Sequence, residues 1–552
     1  MAPRAHPVPD TTPDAAPTRP RQPALRRLLV PLLVVLLLAQ MAVALVTAAV
    51  RQTPTIDEPV YVATAASYLH EHRVRLNPEH PPLGKLVIAA GVALARPHVD
   101  PSSTGTQEEA GRHLLYESGN DPGRLMLWAR LPVIALTLLF GLVVFAFTRD
   151  LAGPFPAVAA LALYALSPDV VAHGSLATLD VPAAGFVLTS VWLLWRSRHG
   201  RARRCLPLAG AALGAALATK MSTLPAVPVL VALAGLSVCA RRPRDVRRAL
   251  LGAAVVTVTA VAVVWAAYLV VDPWLRWAPG TTHVPVVHGR RGLLLRLLPF
   301  PEAYRDGMRI QFGLENRSWT GFLFGHVYTG ARWYYLPVAL VVKTPLGMLV
   351  LWAAGAAALL LVRRLRPAAP YVLVPAAVLL VSAMTGARDL GTRYAVFLPM
   401  FLAVAAGCVL AVRRRWAPVA VGALVAFVAV SSLRTFPFYL PYSNEAFGGP
   451  AKTHLRLHDS NVDWGQDLGR LADRLHGRYR GERVWLVYKG SGVPAYYGID
   501  ASDPRRVPVA KVHGLLAVSD SAVALARGRL AVLLRSSRPV DEVGHSITLY
   551  RR

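Results

Sequence analysis

Hydrophobic and polar positions along the chain form long apolar runs separated by short basic clusters. The first run, residues 28–50, has 23 residues and no charge. It is longer than the apolar core of a signal peptide, which is about 7–15 residues, and it can cross a bilayer as a helix. We therefore predict a retained membrane anchor, with cleavage just before Arg51 as the alternative.

Ten further apolar runs follow and predict ten more membrane helices. Their approximate bounds are 131–148, 152–166, 181–195, 206–219, 222–240, 249–271, 336–362, 368–385, 394–412 and 417–431. Several have fewer than the roughly 20 residues that span a bilayer, so their helices must extend into flanking sequence. The whole pattern predicts an α-helical polytopic membrane protein with about eleven transmembrane helices.

Arginine clusters occupy four of the short segments between these runs, at 196–204, 241–248, 363–366 and 413–415. The segment 167–180 contains neither Lys nor Arg. Basic loops stay on the cytoplasmic side of a membrane, and eleven helices with a cytoplasmic N-terminus place all four clusters there. The chain is thus predicted to be a multi-pass protein of the cell (cytoplasmic) membrane, with its C-terminal part outside the cytoplasm.

Polar segments divide the chain into three parts. Residues 1–27 are rich in proline and arginine and predict a disordered cytoplasmic tail. Residues 28–433 form the transmembrane part, with outer loops at 51–130 and 272–335. Residues 434–552 predict a small extracytoplasmic α/β domain. Its predicted elements are a helix at 466–476 and strands at 483–488, 530–534 and 546–550.

Composition and charge agree with a membrane location. Hydrophobic residues make up 54% of the 552, and charged residues 16%, against roughly 25% in soluble domains. These values argue against a soluble enzyme or a disordered protein. The net charge is +29, but most of it lies between apolar runs, so no nucleic-acid partner is implied. The three cysteines lie in or beside apolar runs and predict no disulfide framework.

The first outer loop contains the most distinctive polar residues. Asp57 and Glu58 follow the first helix directly, and Tyr61 begins a stretch with helical spacing. The segment Asn-Pro-Glu-His-Pro-Pro-Leu-Gly-Lys-Leu then supplies His80 and Lys85. Taken alone, the acidic pair is typical of a solvated loop start, and Lys85 of an anchor at the lipid surface.

Together, the Asp-Glu pair and the His-Pro-Pro-Leu-Gly-Lys run resemble the membrane glycosyltransferases of the GT-C fold. More narrowly, they resemble the protein O-mannosyltransferases and the bacterial lipid A aminoarabinose transferases, which use polyprenyl-phosphate sugars. Further segments with counterparts in these families are 173–180, 218–220, 342–345, 391–394 and 459–468. The resemblance covers residues from about 50 to 500 and is strongest in the first outer loop.

The resemblance implies a site at the outer membrane edge. Asp57, ahead of Glu58, is expected to be the catalytic base, and Asp180 a second acidic residue. The residues expected to bind the donor phosphate are Lys85, Lys220 and Arg393, and those expected to contact substrate are His80, Tyr61 and Tyr394. Cations stabilise a leaving phosphate, and a carboxylate accepts the proton of an acceptor hydroxyl. The resemblance implies no metal and no cofactor.

Each of these residues also has a purely structural interpretation. Lys220 can extend its ammonium group to the membrane surface from a buried stem. Asp180 can cap a helix that begins near Pro182, and Arg393 can anchor the chain among lipid head groups.

The predicted function is an inverting glycosyltransferase. It would move a sugar, mannose or another hexose, from a polyprenyl-phosphate donor to a hydroxyl on protein, lipid or glycan at the outer membrane face. The alternatives are a multi-pass transporter or flippase for a lipid-linked sugar, and a non-enzymatic envelope scaffold. A transporter would require broken helices and a site near the membrane midplane, whereas the charged residues here gather at the outer edge.

Overall fold

The computed structural model describes residues 24–100, 105–240, 245–278, 283–412 and 414–552, with only the backbone described for 24–27. The predicted disordered tail, 1–27, lies outside these residues except for its last four. Three arginines of the 241–248 cluster, and the first of the 413–415 cluster, also lie outside them.

The described residues contain 21 α-helices and seven strands. The helices before residue 275 are α1 Ala24–Arg51, α2 Glu58–Glu71, α3 Leu83–Ala95, α4 Gln107–Arg112, α5 Pro122–Ala152, α6 Pro154–Ala165, α7 Pro168–Gly174, α8 Asp180–Arg196, α9 Ala202–Thr219, α10 Ala226–Cys239 and α11 Val246–Val271. The elements of the second outer loop are α12 Gly289–Leu297, α13 Glu302–Glu315, β1 Thr320–Leu323 and β2 His326–Thr329. The last apolar helices are α14 Tyr335–Lys343, α15 Leu346–Leu361, α16 Ala369–Met384, α17 Phe397–Gly407 and α18 Ala417–Leu433.

All eleven predicted apolar runs fall on helices, so the helical membrane class is confirmed. Of the described helices, four are long and apolar enough to span a bilayer, or up to six if each of two bent pairs counts as one span. Several shorter apolar helices accompany them, among them α3, α10 and α18. The number of eleven transmembrane helices therefore stays a prediction.

The predicted run 336–362 is not one straight helix. It forms α14 and α15, which are bent by 118° at the break between them. Thr344 is extended there, with φ −102° and ψ 132°, because Pro345 disfavours a helical conformation in the preceding residue and has no N–H to donate.

Close packing of α8, α9 and α11 sets the position of two candidate residues. A Cβ atom at Gly210 of α9 would lie 2.6 Å from the carbonyl oxygen of Val256 in α11, so only glycine allows this backbone approach. Helices α8 and α9 also pack side by side and are joined by the short π-helical turn Ser197–Arg201. The start of α8, at Asp180, and the end of α9, next to Lys220, consequently meet at one level.

The C-terminal part forms a small α/β domain, as predicted. Its elements are α19 Leu468–Arg478, β3 Val484–Val487, β4 Ala501–Ser502, β5 Leu515–Ser519, α20 Asp520–Ala524, α21 Gly528–Arg535, β6 Arg538–Val543 and β7 Ile547–Arg551. The sheet has the order β4-β3-β5-β7-β6, with β4, β3 and β5 parallel and the other neighbours antiparallel. Helix α19 packs with the apolar side chains of one sheet face and α21 with those of the other.

One strand prediction in this domain is wrong. Residues 530–534 lie in helix α21, where Leu530 and Leu533, three positions apart, are both buried against the sheet. That spacing is typical of a helix. A short apolar run is also compatible with a strand, and this is why the strand was predicted. The predicted helix at 466–476 and the strands at 483–488 and 546–550 are confirmed as α19, β3 and β7, while β4, β5 and β6 were not predicted.

Candidate active site

A cavity of about 1150 Å³ lies between the apolar helices and the first outer loop. Seven of the nine predicted site residues line it: Asp57, Tyr61, His80, Asp180, Lys220, Arg393 and Tyr394. The structure thus brings together residues from four separate segments of the chain. Glu58 and Lys85 are not among the lining residues.

Asp57 lies immediately before helix α2, whose first residues are Glu58 and Pro59. Its side chain makes no capping hydrogen bond to the helix, so both carboxylate oxygens are left for other partners. Asp57 Oδ2 accepts a hydrogen bond of 2.6 Å from Arg393 Nη1. The Asp57 side chain keeps 28% of its surface exposed, and a ligand in the cavity can therefore reach it.

Glu58 points away from the cavity and is fully buried. Its two oxygens accept hydrogen bonds of 2.7 and 2.6 Å from Arg130 of α5, and further bonds from the backbone N–H groups of Thr55 and Ala177. Burial alone would raise the pKa of Glu58, but the Arg130 charge and these hydrogen bonds hold that pKa below its ordinary value. Glu58 consequently ties α2 to α5 and fixes the backbone next to Asp57.

A second ion pair joins Asp180 and Lys220. Lys220 Nζ lies 2.5 Å from Asp180 Oδ1 and 5.7 Å from the centre of the Tyr394 ring. The Asp180 side chain is 6% exposed and the Lys220 side chain 12%, so little water screens the attraction between their charges. Both residues stand at helix ends that open into the cavity.

Arg393 connects Asp57 to the C-terminal domain. Besides Asp57, its guanidinium contacts the Tyr394 hydroxyl at 3.3 Å and stacks 4.4 Å from the centre of the Trp464 ring. Stacking on an aromatic face stabilises a cation that has lost water. Trp464 lines the same cavity, and the sequence pattern alone did not mark it as a site residue.

Lys85 is fully buried beneath the cavity wall. Its Nζ donates hydrogen bonds of 2.7 Å to the backbone oxygens of Asn77 and His80, and one of 3.3 Å to Asn77 Oδ1. Burial lowers the pKa of Lys85 to about 7, against an opposing contribution from Glu79. This side chain holds the segment that presents Glu79 and His80 to the cavity, and the structure does not bring it to Lys220 and Arg393.

The polar end of the cavity contains further charged residues that were not predicted to bind substrate. Glu79, Glu315, Arg388 and Asp459 all line it, and Arg388 Nη2 donates to Glu315 Oε1 at 2.7 Å. Asp459 belongs to a segment already noted for its resemblance. Within the described residues, no group of three or more His, Cys, Asp or Glu side chains has the geometry of a metal site.

The rest of the cavity wall is apolar and follows the helices. Val187, Leu213, Leu217, Val261 and Leu379 contribute to it from α8, α9, α11 and α16. A cavity that is apolar along its length and charged at one end is complementary to a ligand with a hydrocarbon chain and an anionic head.

Comparison with known proteins agrees with this geometry. Residues 32–275 match the family described as dolichyl-phosphate-mannose-protein mannosyltransferase. The resemblance to the protein O-mannosyltransferases is thereby confirmed for this part of the chain. No curated protein sequence matches the chain.

Solved structures that are similar to this chain include proteins from a bacterium and from yeast. ArnT from Cupriavidus metallidurans in the apo state is 17% identical, with 94% of this chain and 97% of that chain covered and a TM-score of 0.46. The same protein bound to undecaprenyl phosphate is 14% identical over the same shares, with a TM-score of 0.45. The Saccharomyces cerevisiae Pmt1-Pmt2 complex bound to its sugar donor is 19% identical, with 48% and 38% covered and a TM-score of 0.34.

Proposed function

We propose that this protein is an inverting glycosyltransferase that moves a sugar from a polyprenyl-phosphate donor to a hydroxyl acceptor at the outer face of the cell membrane. One observation carries the proposal. A single cavity has apolar walls along the helices and ends in two acid–cation pairs, Asp57 with Arg393 and Asp180 with Lys220. The donor sugar is mannose or another hexose, in keeping with the family that residues 32–275 match.

The cavity accommodates the donor in a defined direction. The isoprenoid chain lies against the apolar walls of α8, α9, α11 and α16, and the phosphate lies at the charged end. Lys220 and Arg393 supply charge-assisted hydrogen bonds to its oxygens. Because these cations are fixed by the fold before the reaction, they stabilise the negative charge that grows on the leaving phosphate.

Donor binding also changes the partners of the two acids. Arg393 and Lys220 are each held by a carboxylate in this structure, and a phosphate between them competes for the same N–H groups. When Arg393 turns to the phosphate, Asp57 Oδ2 becomes free to accept a proton. Asp180 keeps Lys220 in place from the opposite side and acts as a positioning residue.

The transfer step needs no chemical group beyond the donor, the acceptor and Asp57. The acceptor oxygen attacks the anomeric carbon as the bond from that carbon to the phosphate oxygen breaks, and the electron pair leaves with polyprenyl phosphate. Asp57 accepts the proton of the acceptor hydroxyl. Attack from the face opposite the phosphate inverts the anomeric configuration.

The decisive test is transfer by the purified full-length protein. With a radiolabelled polyprenyl-phosphate mannose and a panel of hydroxyl acceptors, we expect stoichiometric release of polyprenyl phosphate and a product of inverted configuration. A flippase would instead carry the intact donor across a vesicle bilayer without consuming it. Donor translocation without polyprenyl phosphate release would contradict the proposed function.

The phosphate-binding residues give a first prediction. Lys220→Met and Arg393→Met are each expected to weaken donor binding about ten- to a hundredfold, because a hydrogen bond to a charged group contributes about 1.5–3 kcal/mol. Donor affinity is measured by displacement of a labelled polyprenyl phosphate. Lys452→Met, at an exposed position of the C-terminal domain, is the matched control and should bind donor like the unmodified protein.

Lys85 is tested in the same series. Lys85→Met is expected to lower both turnover and the melting temperature, because it leaves the buried backbone oxygens of Asn77 and His80 without their donor. If donor affinity falls while the melting temperature is unchanged, Lys85 Nζ instead contacts the phosphate directly.

The topology gives a further prediction. A reporter that fluoresces only in the cytoplasm should give a signal when fused to the N-terminus and none when fused after Arg552. The physical reason is the cytoplasmic preference of the arginine clusters. A strong signal from the C-terminal fusion would place residues 434–552 in the cytoplasm. The proposed site would then lie at the cytoplasmic face of the membrane, which contradicts the proposed function.

A further inference from the structure

A second groove, of about 1040 Å³, lies outside the donor cavity between the first outer loop and the C-terminal domain. One wall comes from the start of α2 and from α4, including Pro59 and Glu108. The other wall comes from residues 489–501, including Val493 and Asp500. No residue assigned above to donor binding lines this groove, so the mechanism leaves it unexplained.

The groove and the donor cavity meet at Asp57. Ile56 and Val60, on either side of Asp57 along the chain, line both spaces, and so does Glu108 of α4. A molecule that fills the groove therefore reaches the segment that carries the proposed base.

A loop of the C-terminal domain that lines the groove is attached to the segment around Asp57. Ser491 Oγ donates a hydrogen bond of 2.9 Å to the backbone oxygen of Thr55, two residues before Asp57. Lys489 lines the groove and forms an ion pair with Asp459, which lines the donor cavity. The first contact attaches the loop to the segment that carries Asp57, and the second links it to a residue of the donor cavity.

We propose that this groove is the acceptor site and that it binds an extended polypeptide segment without acidic groups, presenting a Ser or Thr hydroxyl to Asp57. The assignment rests on the proposed glycosyl transfer. It makes the C-terminal domain one half of the acceptor site.

The walls fit a polypeptide better than a carbohydrate. They are mostly apolar, with Pro59, Val60, Val493, Pro494 and Ile499, and such surfaces bind aliphatic side chains. Gly490 and Gly492 carry no side chain and are partly exposed, so an extended chain can approach the backbone closely there. No aromatic ring lines the groove in the described part of the chain, whereas carbohydrate sites use aromatic faces to cover the C–H face of a sugar.

The charges of the groove disfavour an anionic acceptor. Its two cations already have partners, because Arg112 Nε donates to Glu117 at 2.8 Å and Lys489 pairs with Asp459. The rim keeps the exposed carboxylates of Glu108 and Asp500. A phosphorylated glycolipid or an acidic peptide would place like charges against this rim without a cation to neutralise them.

The experiment compares three acceptors with the full-length protein in lipid nanodiscs and polyprenyl-phosphate mannose as donor. They are a Ser/Thr peptide with apolar and basic flanks, the same peptide with aspartates as flanks, and a phosphorylated glycolipid. We expect transfer to the first peptide, a KM at least about tenfold higher for the acidic peptide, and no transfer to the glycolipid. Transfer to the glycolipid, with both peptides inert, overturns the proposal, and so does transfer only to a neutral oligosaccharide offered as a fourth acceptor.

A charge-reversal variant locates the peptide. Asp500→Arg is expected to raise the KM of the basic peptide and lower that of the acidic peptide, each about three- to tenfold. Asp473→Arg, at an exposed position on α19 outside the groove, is the matched control and should leave both KM values unchanged. Equal responses of the two variants would show that the groove does not select the acceptor.

Peptide binding is measured separately, so that the two proposals fail in different ways. A fluorescent peptide whose acceptor Ser is replaced by Ala reports binding without transfer. If sugar is transferred to another acceptor but this peptide does not bind, the groove assignment fails and the proposed function stands. If the peptide binds with the predicted dependence on Asp500 but no donor is consumed, the proposed function fails instead.

Discussion

Asp57→Asn is expected to lower kcat for sugar transfer about 10²- to 10⁴-fold, the usual contribution of a general base. Asparagine keeps the size of the side chain and one hydrogen-bond acceptor, so Arg393 retains a partner and the cavity keeps its shape. The substitution removes only the charge that accepts the hydroxyl proton. The measurement is the single-turnover rate of purified protein with saturating donor and acceptor.

Donor affinity should not fall in the same variant. The proposed phosphate contacts are those of Lys220 and Arg393, and neutralising Asp57 would remove a competitor for the Arg393 guanidinium. Asp180→Asn is the informative comparison, because Asp180 is paired with Lys220 in the same cavity. Near-normal transfer by Asp57→Asn, together with a large loss in Asp180→Asn, would assign the base to Asp180.

The helices were predictable because their signal is local. Each apolar run reports its own preference for lipid or for the protein core, and every run falls on a helix in the structure. The bend between α14 and α15 also has a local signal in the sequence, namely Pro345. The prediction used this proline only as part of the segment 342–345. The 530–534 run was ambiguous, because five apolar-rich residues fit a strand or a buried helix equally well.

The site was predictable only as a set of residue types. The Asp57–Arg393 pair joins positions 336 residues apart, and no periodicity or composition reports such a contact. The same limit explains why the contacts of Lys85 were not predicted. Its position in an outer-loop motif was compatible with phosphate binding. Its actual partners are backbone oxygens of its own loop, and only the folded path of that loop reveals them.

Arg130 was missed for a related reason. It stands at the edge of an apolar run, where an arginine is usually an anchor at the membrane surface. In the structure it is 1% exposed and bonds Glu58 with two nitrogens. A single sequence offers no signal for this partner, 72 residues away, and only the folded chain shows that Glu58 bonds Arg130 while Asp57 lines the cavity.

Arg130→Met is therefore expected to destabilise the protein strongly, by about 3–5 kcal/mol in the free energy of unfolding. Removing one partner of a buried ion pair leaves the other charge without compensation. Methionine fills much of the space of the arginine stem, so most of the loss is electrostatic rather than a cavity effect. The free energy is measured by reversible denaturation in detergent micelles, with the α2–α5 region followed by a site-specific probe.

The double variant Glu58→Gln/Arg130→Met separates charge from packing. With neither charge present, the penalty of an uncompensated carboxylate disappears, and we expect stability to recover by more than half of the loss. The rate of sugar transfer should recover less than the stability. Glu58 also accepts hydrogen bonds from the N–H groups of Thr55 and Ala177, and these bonds set the position of Asp57. A single variant as stable as the unmodified protein would show that the Glu58–Arg130 pair does not hold this part of the active site together.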